Sequence, residues 1–267
     1  MNNMIVFLLI GLALLVTVPV ALRVLGIDGG MATLIGRSLA TLSLVLPRGP
    51  IAGVLALTWL ASTAFLVLRH RRVAVFTLVP LLWLPAAAAW LVADRFGIRP
   101  LEFDRSIVLL TAAHFHHAGF GVSVLLARVR APLGLALHQA GMVFVAIGIT
   151  TSDHLEPIGA GFIVCALVVW TYRALRMRAP LSGWRRVAIM TSALSWTYPM
   201  LLAVSWALTQ VGVDFVTSTL TPTLDAMVAQ HGAVNAIALV LCGLIALTPT
   251  LAHLQEEALH DHAASTH

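Results

Sequence analysis

Three imidazoles occupy the middle of one apolar run, Leu110-Thr111-Ala112-Ala113-His114-Phe115-His116-His117-Ala118-Gly119-Phe120-Gly121. A histidine in a bilayer costs free energy unless it has a partner or a task, so a cluster of three asks for a function. At about 100° per residue, His114 and His117 fall about 60° apart on one helix face, while His116 points about 160° away from His114. The small residues Ala112, Ala113, Ala118, Gly119 and Gly121 allow a neighbouring helix or a ligand to come close. A second polar pair, His231 and Asn235, stands at i and i+4 where the last apolar run begins, and Glu102 and Asp104 lie just ahead of the histidine helix.

An imidazole titrates near neutrality, and a neighbouring carboxylate can tune it for general acid/base work. The expected catalytic set is therefore His114, His116, His117, His231 and Asn235, with Glu102 or Asp104 as the acidic partner. Trp196, Tyr198 and Phe120 are expected to line an apolar substrate pocket, against the plainer alternative that they only pack. His138 and Gln139 belong to the margin of the site, where a lone histidine more often packs helices. His114, His117 and His231 are the candidate metal ligands, but their i, i+3 spacing departs from the i, i+4 of zinc helices, and no HxxxH or HxxHH boxes of the di-iron type accompany them. The acid/base chemistry needs no cofactor, and a metal ion ranks second.

These residues are set in a chain of 267 residues that is 60% hydrophobic and 10% charged, with a mean hydropathy of +0.95. Such a composition makes an integral membrane protein rather than a soluble domain. All 16 basic residues are arginine, and they collect at the ends of apolar runs, as in Arg69-His70-Arg71-Arg72 and in Arg173, Arg176, Arg178, Arg185 and Arg186. That distribution fits orientation signals and lipid phosphates, and it excludes nucleic acid as a partner. Cys165 and Cys242 sit inside apolar segments without a CxxC context and read as small core residues. The first apolar run lacks a basic leader and a clear cleavage site, so it reads as a retained helix.

Windows of about 20 apolar residues give an all-α, polytopic helical bundle with spans near 4–22, 51–68, 73–93, 106–127, 132–150, 157–177, 187–210 and 232–252. These are eight transmembrane helices, and nine if the short stretch 31–47, interrupted by Arg37, also crosses. Residues 1–252 form a single transmembrane domain, and 253–267 a short cytoplasmic tail rich in histidine, whose stripe His253, Glu256, Glu257 and His260 reads as a solvated face. Basic loops in the cytoplasm leave 94–105, 151–156 and 211–231 outside, and the location is the bacterial inner (plasma) membrane.

The run Leu110–Phe120, of the form LTAxHFHxAGF, resembles the YndJ-like family of bacterial membrane proteins, and His231-Gly232 followed by Asn235 is similar to that family's later HGxxN element. The likeness covers roughly the C-terminal two thirds. It implies a shared site without naming its reaction. Position 117, expected to be aromatic in the family, is His here, so the resemblance points to His114 and His116 where the helical wheel pairs His114 with His117.

The expected function is an intramembrane enzyme acting on an apolar small molecule or lipid by isomerisation, cyclisation or hydrolysis. The alternatives are a proton-coupled transporter, with the histidines as relay, and a metal- or haem-binding redox or sensor protein. A single site requires His114 and His231 to lie within about 12 Å of each other.

Overall fold

The computed structural model describes residues 3–179, 181, 183–213 and 223–249; the expected tail 253–267 and residues 214–222 of the expected outer loop lie outside them. Among the described residues all regular structure is helical. Eight helices are long and apolar enough to cross a membrane: α1 (Met4–Val24), α3 (Pro50–Arg69), α4 (Val75–Phe96), α5 (Arg105–Arg128), α6 (Pro132–Thr151), α7 (Leu155–Met177), α8 (Gly183–Gln210) and α9 (Met227–Leu247). Between α1 and α3 runs the shorter apolar helix α2 (Gly30–Val45).

The ends of α2 fix its direction against its neighbours. Gly30 lies beside the Arg69 side chain at the end of α3, whereas Ser43 and Leu46, at the far end, accept hydrogen bonds from Arg95 at the end of α4. Helix α2 is thus antiparallel to α3 and runs in the same direction as α4, with about 24 Å of helix. Arg37, the charge that interrupts its apolar run, donates to the carbonyls of Leu14 and Leu15 on α1. Those two residues lie in Ala13–Thr17, where α1 widens to i→i+5 hydrogen bonding. A widened turn is where carbonyls become free for a side-chain donor.

The centre of the bundle is α5. Two thirds of its most apolar window is buried, against a third for most other spans, and it packs on α1, α4, α6 and α9. Glycines set the approach distances. A Cβ on Gly119 would lie 2.7 Å from the indole of Trp83 on α4, and one on Gly121 would overlap Val240 on α9. On the other side, a Cβ on Gly159 of α7 would lie 2.6 Å from the Val145 nitrogen of α6, so those two helices meet backbone to backbone.

Three boundaries differ from the sequence expectation. Helix α4 continues to Phe96, which brings Asp94 and Arg95 out of the expected loop and into the helix. Helix α9 begins at Met227 instead of 232, so His231 and Asn235 sit inside it rather than at its start. Helix α8 breaks at Ser195-Trp196, one turn before Pro199, because a proline ring clashes with the carbonyl four residues earlier.

Candidate functional site

Regular helix geometry ends at His114. From Phe115 to Val122 α5 is π-helical, and α9 is π-helical over Met227–Ala233 and Asn235–Leu241. The wider turn rotates the side chains away from their 100° positions, and the three imidazoles fan out to different neighbours instead of sharing a face.

His116 turns to α3. Its Nε2 accepts the indole hydrogen of Trp59 at 3.1 Å and its Nδ1 donates to the Ala112 carbonyl at 2.8 Å, with both rings fully buried and stacked at an interplanar angle of 14°. An indole nitrogen can only donate, so the tautomer is fixed and both ring nitrogens are spent. His117 turns to α1, where Nε2 donates to the Leu9 carbonyl at 2.9 Å. Its Nδ1 is buried and has no hydrogen-bond partner. His114 makes no hydrogen bond among the described residues; its ring lies within electrostatic reach of His231 on α9, His117 and His138.

His231 donates from Nδ1 to the Pro199 carbonyl at 2.8 Å, which leaves Nε2 as an acceptor in the neutral ring. One turn deeper on α9, the amide oxygen of Asn235 is buried and unpaired. On the opposite side of His114, a donor chain sets the state of His138. Trp83 gives its indole hydrogen to Gln139 Oε1 at 2.7 Å, which turns the Gln139 amide nitrogen towards Ser123 Oγ at 2.9 Å and His138 Nδ1 at 3.1 Å. With Nδ1 accepting, Nε2 of His138 carries the hydrogen. His114 is free at both ring nitrogens, and the rings that interact with it electrostatically present acceptors on His231 and His117 and a donor on His138.

The acidic partners expected from the sequence are elsewhere. Asp104 is exposed and pairs with Arg99 at 3.2 Å, Glu102 is exposed on the short turn Pro100–Glu102, and both precede His114 by about 15 Å or more of helix rise. A buried carboxylate is Asp94, whose Oδ1 accepts from Arg105 Nε at 3.1 Å and lies 3.5 Å from Arg48, and whose Oδ2 forms an ion pair with Arg95 at 3.0 Å but has no hydrogen-bond partner. Sequence reasoning placed it among the acids of an outer loop. The only available signal was Asp-Arg at the end of an apolar run.

The expected pocket residues are likewise spread out. Phe120 is fully buried in the core. Trp196 spends its indole hydrogen on Thr171 Oγ1 and the Ala193 carbonyl, tying the break in α8 to α7. Tyr198 is half exposed and donates to Gln230 Oε1 at 2.6 Å. Nor do His114, His117 and His231 form a metal set: among the described residues no three His, Cys, Asp or Glu side chains are grouped to hold an ion. What the structure does bring together, and the sequence put in the margin, is His138 with Gln139, Ser123 and Trp83.

A family model described as YndJ-like protein matches residues 8–239. A protein of Bacillus subtilis (strain 168) named "Uncharacterized membrane protein YndJ" is 24% identical over 220 residues, which is 72% of this chain and 38% of that protein. The chain thus spans about two fifths of the length of that curated relative. No solved structure matches the chain.

Proposed function

The chain belongs to the YndJ-like protein family, and we propose that it is a proton-coupled transporter of the bacterial inner membrane in which His114 is the central relay. The observation that supports this reading is the unspent imidazole of His114 between ring nitrogens whose states are set by their other bonds. His231 and His117 offer lone pairs towards the interior, and His138 offers a hydrogen.

A relay needs a group that can gain a proton on one nitrogen and lose it from the other; of these rings only His114 has both nitrogens unspent, and His231, His117 and His138 each offer it one nitrogen. Counting 1.5 Å per residue along each helix, His231 lies about 6 Å from the start of α9, His114 about 13 Å from the start of α5 at the same end, and His138 about 9 Å from the opposite end. The series descends through the bundle. The unpaired Nδ1 of His117 and Oδ1 of Asn235 are polar partners of the kind a bridging water requires. With the arginine-rich loops in the cytoplasm, the series joins a cytoplasmic end at His138 to an outer end at His231, and with His138 donating and His231 accepting its resting hydrogen bonds are oriented from His138 through His114 to His231.

The enzymatic alternative would use the same His114 with Asn235 as its orienting amide, and acid/base chemistry there would proceed without a carboxylate at the ring. The relay has the more direct test. Purified protein is reconstituted into vesicles loaded with a pH-sensitive dye, and uptake is driven by a potassium diffusion potential. Wild type is expected to acidify vesicles at least tenfold faster than His114→Phe, with both proteins monodisperse. Equal rates in the two would overturn the proposal.

A further inference from the structure

We infer that the arginine cluster around Asp94 is a binding site for a phosphate group, carried by a lipid head or by the free anion. Three guanidinium groups, of Arg48, Arg95 and Arg105, converge on the single carboxylate of Asp94, so the cluster keeps an excess of two positive charges. Next to it, Asp104 is occupied by Arg99 and the Glu102 side chain is exposed. Two helix N-termini, of α3 at Pro50 and of α5 at Arg105, are offset by two helix C-termini, of α2 at Val45 and of α4 at Phe96, so the positive excess rests on the guanidinium groups themselves. The protein's own acceptors leave donors over. Arg105 uses only Nε on Asp94 Oδ1, so both terminal nitrogens of its fork make no hydrogen bond among the described residues. Arg48 spends Nε on the Asp94 carbonyl and Nη2 on the same Oδ1, which leaves Nη1.

Because Arg48 and Arg105 reach the same carboxylate oxygen, their spare donors are neighbours. Both side chains are about one third exposed, whereas Arg95, anchored on the Ser43 and Leu46 carbonyls, is buried. The Nε of Arg95 is buried and unpaired. Phe7 lies under Arg95 and Arg105, with guanidinium carbons 5.4 and 5.7 Å from the ring centroid, and holds the two planes in place. Planar forks with two free edges match a tetrahedral oxyanion, which accepts several charge-assisted hydrogen bonds at once. The cluster sits where helices end and begin, the depth at which lipid phosphates lie.

The experiment uses the full chain in a mild detergent and follows thermal unfolding with added phosphatidylglycerol, phosphatidylcholine or inorganic phosphate. A ligand that binds only the folded state raises the midpoint with concentration. Phosphatidylglycerol is expected to raise it by several degrees. If inorganic phosphate does so as well, the free anion is a sufficient ligand; if only the anionic lipid does, the source is the membrane. In Arg48→Gln/Arg105→Gln the concentration needed for the same rise is expected to increase at least tenfold. Arg48→Lys/Arg105→Lys, which keeps the charge and removes the forks, serves if the first variant does not fold and is expected to fall between. No rise in wild type with any of the three ligands, or equal rises in wild type and variants, would overturn the assignment.

Discussion

Gly119→Ala adds one methyl group at the point where the central helix meets Trp83. The new carbon would stand 2.7 Å from Cδ2, 2.8 Å from Cε3 and 3.0 Å from Cγ of that indole, inside van der Waals contact with three ring atoms. The ring has little room to retreat. Its nitrogen is held by Gln139 Oε1 at 2.7 Å, and Phe115 meets it edge-on with centroids 5.0 Å apart. Overpacking of this kind costs about 1–3 kcal/mol. If the indole swings away, the buried bond to Gln139 is lost at a further cost of about 1–3 kcal/mol. Against this, replacing glycine within a helix contributes about 1 kcal/mol in favour of the variant. The balance is a loss on the order of 2–3 kcal/mol, measured by circular dichroism as detergent-solubilised protein is titrated with SDS. Trp83→Phe supplies the control, since phenylalanine is not tethered to Gln139 and can turn aside. The double variant is expected to be more stable than the sum of the two single losses by about 0.5–3 kcal/mol. A Gly119→Ala protein as stable as wild type would show that Trp83 is not held in place, and with it would go the donor chain that sets His138.

Two further substitutions separate structural polar groups from those of the relay. Trp59→Phe leaves His116 Nε2 buried without its donor and is expected to destabilise the protein by about 1–3 kcal/mol beyond the loss of ring volume; because His116 has no spare nitrogen, proton uptake in vesicles should stay within twofold of wild type, and a tenfold loss would bring His116 into the path. Asp94→Asn strands three guanidiniums and is expected to cost about 3–5 kcal/mol, the range for breaking a buried ion pair. Glu102→Gln and Asp104→Asn, on exposed side chains, should change the unfolding midpoint by no more than about 0.5 kcal/mol in equivalent stability. Equal effects from all three acids in the same SDS titration would refute the distinction between the buried and the surface carboxylates.

The spans were legible because a bilayer imposes a length of about 20 apolar residues that no tertiary contact can hide. What escaped the sequence depends on partners far along the chain. Arg37 left residues 31–47 an open ninth span, and its acceptors are carbonyls 22 and 23 positions earlier. Asp94 and Arg95 looked like the start of a loop because their burial depends on Arg48, 46 residues before Asp94, and on Arg105. At the histidine cluster the residues were visible but their directions were not. A wheel at 100° per residue presumes i→i+4 bonding, and α5 abandons it one residue after His114.

That departure is shared by the helices that touch α5 at this level. The wide segment Phe115–Val122 packs against Ala13–Thr17 of α1 and against Asn235–Leu241 of α9, so three widened stretches meet around the cluster. Each widening goes with a polar contact: Arg37 on the carbonyls of Leu14 and Leu15 in α1, His117 of α5 on Leu9 just before them, and Ser192 on the Leu239 carbonyl of α9. A π-helical turn is poorer in hydrogen-bond geometry than an α-helical one, and a protein confined to a bilayer has no water to make up the difference. Three of them in contact are retained where the side chains they aim compensate for the loss, and His114, which immediately precedes the wide segment of α5, has no hydrogen bond among the described residues. It is therefore the residue where aiming, rather than packing, accounts for the local structure.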